Sequence, residues 1–320
     1  MDRSPELIST QRRRVWKGVS VRTFYLIAGL LLLLLATSTV VGQYTKSPEG
    51  VAATRDWTRN WFTNSDAKLA PDTPQQPTST DDTHELAKKL SNPVASLISF
   101  PLQSNFDFGM GAGSGWKYTL NIQPVVPFQL NSKWNLISRT ILPIVHQHNV
   151  AGVGTQTGLG DLSQSFFFAP ADSKRFTWAV GPEFLVPTAT NSFLGSRKFG
   201  IGPTFLILKQ EAGWTYGALT NHVWSVAGSD RHEDVNSTFI QPFLSYNTKD
   251  AWTYGLNAEA NYDWIGNHWN IPIHVTVSKL TKFGNRPVSF GGALRCWVTS
   301  SPGGPEGCGF RITVTPLFPR

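Results

Sequence analysis

Eight charged residues lie on the polar sides of segments in which every second residue is apolar. They are Lys117, Arg139, Asp161, Glu183, Glu259, Asp263, Arg295 and Arg311. If these segments form the wall of a barrel, the charged side chains point into its lumen. There they would either line a water-filled pathway and set its preference for ions or solutes, or pair with one another and fill a closed interior. The sequence leaves both possibilities open.

The histidines and hydroxyl residues do not form a catalytic or metal-binding pattern. His146 and His148 share a strand face, but no carboxylate or thiol stands at a supporting spacing, so we predict no metal site and no cofactor. His222 and Ser225 are the nearest approach to a base and a nucleophile, yet their spacing places them on opposite faces of a strand. The sequence contains no nucleophile elbow, phosphate loop or zinc motif. We therefore predict that the protein is not an enzyme.

The two cysteines, Cys296 and Cys308, flank the last predicted loop and are equidistant from Pro302. In a symmetric hairpin they would face each other, and an oxidising compartment would permit a disulfide. Directly paired antiparallel positions suit the geometry of a bridge only in some registers. Of the two states, a bridge and two free thiols, we favour the free thiols.

The segment 252–264 (WTYGLNAEANYDW) shows the alternation most clearly, because its even positions are all apolar or aromatic and its odd positions are polar or glycine. A strand sends successive side chains to opposite faces, so this segment has one apolar and one polar face. Aromatic rings at both ends of the apolar face are typical of a strand that crosses a membrane. The aromatic residues that we expect at the membrane interfaces are Trp116, Phe128, Trp252, Tyr254, Tyr262, Trp264 and Trp269.

From residue 94 onward, twelve strand candidates follow one another, separated by turn signals. They are 95–108, 116–130, 134–146, 158–169, 175–188, 198–209, 214–227, 235–248, 251–264, 268–280, 286–298 and 306–318. Short connections alternate with mostly longer ones, and an even strand count with this alternation is typical of bacterial barrels. The sequence thus predicts an all-β fold: an antiparallel transmembrane β-barrel of about 12 strands over residues 94–320.

Prolines inside the predicted strands are unusual for a closed barrel, which has no edge strand to accommodate them. They are Pro124, Pro143, Pro182, Pro203, Pro242 and Pro272. We expect bulges or one weakly paired seam at these positions.

Two segments precede the predicted barrel. Residues 1–42 resemble a signal peptide, with a basic start, an uncharged run over 24–41 and small residues before Gln43. An inner-membrane anchor is the alternative, because that run is just long enough to span a bilayer. Residues 43–93 are predicted to be a flexible periplasmic linker with a short helix at 84–90. This helix would either plug the barrel mouth or belong to a plain linker, and we favour the linker.

The net charge of +7 gives no reason to expect nucleic-acid binding. Residues 1–42 hold six basic and two acidic residues, so they contribute +4 and leave about +3 for the rest of the chain. A charge this small does not form the basic surface that nucleic-acid recognition needs.

Several segments resemble a bacterial family of outer-membrane transporters of the MetA-pathway phenol-degradation type. The matching stretches are 90–107 (LSNPVASLISFPLQSNFD), 134–143 (WNLISRTILP), 158–161 (GLGD), 186–190 (VPTAT), 214–228 (WTYGALTNHVWSVAG) and 303–318 (GGPEGCGFRITVTPLF). The resemblance implies an outer-membrane barrel. It implies no catalytic residues and names no solute.

Taken together, these features predict a monomeric barrel in the bacterial outer membrane that passively admits small solutes, including aromatic or apolar ones. The expected partners are outer-membrane lipid, the barrel-assembly machinery and an unidentified small solute. One alternative is a sealed structural or assembly barrel without transport. Another is a periplasmic β-domain held by an inner-membrane anchor.

Overall fold

The computed structural model describes residues 79–319 apart from residues 113, 153, 173–175 and 285. The predicted signal peptide and most of the predicted linker lie outside the described residues. The described elements are α1 (Ser79–Leu90), β1 (Ile98–Ser99), β2 (Leu102–Met110), β3 (Gly115–Ile122), β4 (Val125–Gln129), β5 (Trp134–His148), β6 (Thr155–Leu159), β7 (Leu162–Pro170), β8 (Thr177–Val186), β9 (Lys198–Glu211), β10 (Trp214–Gly228), β11 (Asn236–Asn247), β12 (Trp252–Ala258), β13 (Ala260–Asp263), β14 (His268–Phe283), β15 (Arg286–Thr299) and β16 (Cys308–Phe318). Among the described residues, no helix is long and apolar enough to cross a membrane.

The strand segments of the described chain form one closed barrel of twelve antiparallel strands. Four barrel strands are each interrupted once, so β1 with β2, β3 with β4, β6 with β7, and β12 with β13 are halves of a single strand. The cylinder closes where β16 pairs with both β1 and β2. The predicted fold is confirmed, and each of the twelve predicted strands is present with ends that differ by a few residues.

The alternation of the sequence sorts side chains between the outer and inner faces of this barrel. Along β9, Ile201, Phe205 and Ile207 are exposed on the outside, whereas Leu206 and Leu208 are buried inside. The other strands carry a similar set of exposed Trp, Phe, Leu, Ile and Val side chains. An apolar outer band of this kind matches the hydrocarbon core of a bilayer.

The two ends of the barrel differ in their connections. The connections between β4 and β5, β7 and β8, β9 and β10, β11 and β12, and β14 and β15 define the short-turn end, where α1 also lies. Connections 111–114, 149–154, 187–197, 229–235, 264–267 and 300–307 define the long-loop end. In bacterial outer-membrane barrels the short turns face the periplasm. The short-turn end is therefore the periplasmic end.

Each of the six strand prolines lies beside a gap in a hydrogen-bond ladder. Pro124 separates β3 from β4, and Pro143 faces the gap between β6 and β7. Pro242 and Pro272 face the gap between β12 and β13 from either side. Because proline has no N–H to donate, a gap beside it leaves no donor unpaired. The prolines therefore occupy local interruptions around the barrel and not a single weak seam.

The remaining two prolines belong to a repeated Gly-Pro step. Pro182 of β8 pairs directly with Pro203 of β9. The ladder between β7 and β8 skips Pro182, and the ladder between β9 and β10 skips Pro203. A Cβ atom at Gly181 would lie 1.7 Å from the carbonyl oxygen of Phe166, and one at Gly202 would lie 1.6 Å from that of His222. Only glycine permits this approach of neighbouring backbones.

Candidate functional site: the barrel lumen

The middle of the lumen is a polar chamber of about 610 Å³, whose walls come from residues that the alternation points inward. Eight carboxamide side chains line it: Gln103, Asn121, Gln123, Asn221, Gln241, Asn257, Asn261 and Asn270. Each carboxamide offers both donors and an acceptor, so these side chains give the chamber a polar part that can hydrogen-bond water or a solute.

One wall of the chamber carries a network of paired charges. Arg311 binds Glu259 with two parallel hydrogen bonds of 2.7 and 2.9 Å, and its Nε donates to Asn105 at 2.6 Å. The buried His274 ring lies 3.5 Å from the Glu259 carboxylate. This bidentate geometry is the strongest form of an arginine–carboxylate contact. The charges of Glu259 and Arg311 therefore largely compensate each other.

A second ion pair extends this wall toward the long-loop end. Arg295 donates to Asp107 at 2.8 Å, and the indole of Trp297 donates to the other oxygen of the same carboxylate at 3.1 Å. The guanidinium of Arg295 also stacks over the Trp297 ring at 4.6 Å. Lys117, which is opposite Asp107 in the β2–β3 register, lines an adjoining cavity of about 410 Å³ at this end.

The other wall carries charged groups that are not paired. Arg139 on β5, Ser165 on β7 and Glu183 on β8 are in register across three adjacent strands. Glu183 accepts a hydrogen bond from Ser163 through Oε1, whereas its Oε2 is buried without a partner. Arg139 forms no hydrogen bond or ion pair with any side chain in the described part of the chain. Both residues line the chamber.

Two of the eight predicted lumen charges have a different place. Asp161 accepts hydrogen bonds from the backbone and hydroxyl of Ser196 at 2.6 and 2.7 Å and from the backbone of Ala189 at 3.2 Å. Asp263 accepts from the backbone of Ile265 at 2.9 Å, within the turn that follows β13. Both carboxylates fix loops at the long-loop end and neither lines the chamber. For these two residues a role in the lumen stays a prediction.

The aromatic residues that were expected at the membrane interfaces lie on the outer face near the strand ends. Phe128, Trp252 and Tyr254 are exposed near the short-turn end. Trp116, Trp264 and Trp269 are exposed near the long-loop end, where Tyr262 packs between the last two with ring centroids 4.8 Å from each. This arrangement forms two bands, which is the pattern of aromatic girdles at the two interfaces.

The histidines on the outer face are each held by a threonine of a neighbouring strand segment. The Nδ1 atoms of His146, His148 and His222 lie 2.6, 2.8 and 2.7 Å from the hydroxyls of Thr157, Thr155 and Thr238. Ser225 does not contact His222 and donates instead to Asp234 at 3.1 Å. Within the described ranges, no group of three or more His, Cys, Asp or Glu side chains could hold a metal ion.

An ion pair at the long-loop end joins the buried Lys198 to the exposed Asp234, with 2.7 Å between Nζ and Oδ1. Hydrogen bonds from Lys198 and then from Ser225 hold the pKa of the Asp234 carboxyl below its usual value. Asp234 consequently remains ionised as the pH falls toward the usual carboxylate range, and Lys198 keeps its counter-charge there.

The cysteines form a disulfide, with the Cα atoms 4.0 Å apart across the directly paired positions of β15 and β16. The preference for two free thiols is wrong, because the directly paired positions lie close enough in this register for a bridge. The bridge lies on the outer wall and closes the loop 297–307. The backbone of that loop joins the end of β2, since Gly111 donates to Gly303 at 2.9 Å and Glu306 donates to Phe108 at 3.0 Å.

Residues 79–97, which we call the mouth segment, pack into the short-turn end of the barrel. Ala87 and Leu97 are buried with Ala251, Leu280 and Leu317, which come from three different parts of the barrel rim. Gln210 donates to the carbonyl of Lys88 at 2.8 Å, and the His84 ring lies 2.9 Å from the carbonyl of Thr248. The helix therefore lies across the mouth.

Deeper in the lumen, Val94 of the mouth segment joins the largest apolar cluster of the described residues. Inward-facing side chains of β5, β7, β8, β9 and β10 surround it: Ile137, Phe167, Ala169, Ala179, Leu206, Leu208 and Leu219. The sequence offered a plug of the barrel mouth as one possibility, but the preference for a plain linker is wrong, because this segment packs against the rim and inside the lumen. The available signal was the spacing of Leu86, Ala87 and Leu90 on one helix face.

These features define a class of protein, the bacterial outer-membrane β-barrel, with an apolar outer face, aromatic girdles and a polar lumen. The family described as "Putative MetA-pathway of phenol degradation" matches residues 104–272, more than half of the chain, and the chain belongs to that family. A comparison with curated proteins gives no match.

The chain is also similar to solved structures. An outer membrane channel from Pseudomonas putida F1 is similar with a TM-score of 0.57 and 12% identity, over 69% of this chain and 94% of that one. Outer membrane phospholipase A from Escherichia coli has a TM-score of 0.44 and 9% identity, over 69% and 90% of the two chains. The Salmonella typhi outer membrane phospholipase dimer with bound calcium has a TM-score of 0.41 and 9% identity, over 74% and 98%. At 12% identity the similarity to the Pseudomonas putida channel is one of fold.

Proposed function

We propose that the protein is a passive channel through which small solutes cross the outer membrane. The observation that carries this proposal is the chamber of about 610 Å³ lined by carboxamides and by the unpaired Arg139 and Glu183. A structural barrel without a transport function would be more stable if packed side chains filled this space. The fold shared with a Pseudomonas putida outer membrane channel supports the same proposal.

The proposal takes the protein not to be an enzyme, and it is supported by the separate hydrogen bonds of His222 to Thr238 and of Ser225 to Asp234. It also takes the protein to be a monomer, inserted by the barrel-assembly machinery and surrounded by outer-membrane lipid. The exposed apolar face around the whole barrel supports contact with lipid on every side.

A second candidate function, a sealed barrel, is favoured by the mouth segment. Val94 and the apolar cluster around it occupy the periplasmic half of the lumen, between the chamber and the short-turn end. Under the channel proposal, the mouth segment has to leave or shift for a solute to pass. Under the sealed-barrel alternative, it stays in place.

Recording current through the full-length protein in a planar bilayer tests the proposal. We expect small conductance steps for the unaltered chain. For Val94→Asp we expect an increase of several-fold, because a carboxylate among Phe167, Leu206 and Leu208 costs several kcal/mol of desolvation and expels the segment. Lys89→Asp is the matched control, because Lys89 is exposed on the same segment.

Conductance that rises in the Val94 variant and not in the Lys89 variant would support a channel closed by the mouth segment. If the unaltered protein and both variants carry no current while they remain folded, the barrel is sealed and the proposed function is wrong.

A further inference from the structure

Three unpaired polar groups converge on the chamber from two sides. On one wall Glu183 presents its buried Oε2, which has no hydrogen bond. The half-buried Arg139 lines the same chamber and forms no salt bridge within the described ranges. On β12, the buried Oδ1 of Asn257 also lacks a hydrogen bond. Buried polar atoms without partners are rare in folded proteins, and a ligand or water normally satisfies them. Glu183 and Asn257 therefore present two buried acceptor atoms to the chamber, and Arg139 adds a cationic donor.

The geometry separates the donor from the acceptors. Arg139 and Glu183 lie on strands one removed from each other, in register on either side of Ser165. Their Cα atoms are therefore about 10 Å apart, given roughly 4.8 Å between neighbouring strands. Both side chains line the same chamber of about 610 Å³, which can hold a small molecule. A ligand that satisfies both must present an anionic group to Arg139 and a hydrogen-bond donor to Glu183.

The charges of the chamber favour the anionic group. Glu259 and Asp107 are both bound by arginines, so their charges are compensated. Arg139 in the chamber and Lys117 in the adjoining cavity have no such partner in the described ranges, and only Glu183 opposes them. Unpaired cations at two successive positions favour the entry of anions from the long-loop end. A guanidinium holds a carboxylate by two parallel hydrogen bonds.

The chamber also has an apolar part. Ile141, Val223, Val235 and Phe239 line it beside the polar groups. These side chains can contact the carbon atoms of a ligand, and they form no hydrogen bonds that would compete with those of the ligand. A purely apolar solute would fit against them, but it would displace water from Arg139, Glu183 and Asn257 and leave them without partners.

We propose that the chamber is a binding site for small organic carboxylates that also carry a hydroxyl or amino group. Arg139 binds the carboxylate, and Glu183 and Asn257 accept hydrogen bonds from the hydroxyl or amino group. The inference rests on the proposed channel function and names its solute class. It narrows the solutes expected from the sequence, because aromatic or aliphatic character alone does not satisfy the polar groups.

Three probes of nearly equal size separate the contributions: lactate, propionate, which lacks the hydroxyl, and propane-1,2-diol, which lacks the carboxylate. Their binding to the full-length protein in detergent is measured by equilibrium dialysis, which does not depend on conductance. We expect lactate to bind at least about tenfold more tightly than either analogue. Arg139→Gln should remove the advantage of lactate over the diol. Glu183→Gln should remove its advantage over propionate.

Exposed residues of the loop 229–235 provide matched controls: Arg231→Gln and Glu233→Gln should leave all three affinities unchanged. Arg139→Lys keeps the positive charge but loses the two parallel N–H donors of the guanidinium, so this variant should bind lactate with intermediate affinity. Heat-modifiable migration in gels shows for each variant whether the barrel has folded.

Equal affinity for the three probes, or lactate binding that is insensitive to Arg139→Gln and Arg139→Lys in folded protein, would overturn the inference. This result is compatible with a conducting channel. Selective lactate binding by a barrel that carries no current would instead support the binding site and contradict transport.

Discussion

Glu259 illustrates how a single residue joins distant parts of the barrel wall. Its carboxylate on the β12–β13 strand binds Arg311 on β16, and Arg311 in turn binds Asn105 on β2. The side chain of Arg311 is 8% exposed and that of Glu259 is 20% exposed, so both groups have lost most of their hydration. Removing one partner from such a pair leaves the other charge without compensation.

We expect Glu259→Gln to lower the free energy of unfolding by about 3 kcal/mol, as found when one partner of a buried ion pair is removed. Glu211→Gln is the control, because Glu211 is half-exposed in its pair with Lys209 and such pairs contribute about 0–1 kcal/mol. Urea unfolding in lipid vesicles, followed by tryptophan fluorescence, gives both values. Equal losses in the two variants would show that the Glu259–Arg311 pair behaves like a surface pair.

At the scale of elements, β8 and β9 depend on the repeated Gly-Pro step. The carbonyl oxygens of Phe166 and His222 occupy the space that a Cβ atom would take at Gly181 and Gly202. The neighbouring backbones cannot move apart without breaking the ladder on both sides of the gap.

We therefore expect Gly181→Ala or Gly202→Ala to destabilise the barrel by about 1–3 kcal/mol, the range for overpacked sites. Gly292→Ala is the control, because the nearest atom to its added Cβ is 3.9 Å away and its backbone requires no left-handed angle. The gel-shift temperature of each purified variant measures the effect. A normal transition temperature for both β8 and β9 variants would contradict the close approach of the strands.

The strands were predictable from the sequence because each has one face in lipid and one in the lumen, and alternation reports that difference directly. The pairing of lumen charges was not predictable. Asp107 and Arg295 are 188 residues apart and meet only because the first and last barrel strands close the cylinder. Alternation places both Glu183 and Glu259 on the inner face. However, Glu183 has an oxygen without a hydrogen bond, whereas both oxygens of Glu259 accept hydrogen bonds from Arg311.

At the scale of the whole molecule, the disulfide ties the final hairpin and its loop. Because the bridge restricts a loop of 12 residues in the unfolded chain, it should stabilise the folded state by about 2–3 kcal/mol. Replacing both Cys296 and Cys308 by serine should lower the urea midpoint accordingly.

Reductant should bring the unaltered protein to the midpoint of the double variant and leave the double variant unchanged. Mass spectrometry with and without reductant verifies the bridge. If the unaltered protein and the double variant have the same urea midpoint before any reductant is added, the bridge does not stabilise the barrel.

The contacts of the mouth segment also set an order of events during assembly. Its partners Gln210, Thr248, Leu280 and Leu317 all come later in the chain, and Leu317 belongs to the last strand. These groups surround the mouth only after β16 has joined β1 and β2. The mouth segment can therefore complete its contacts only in a barrel whose wall has already closed.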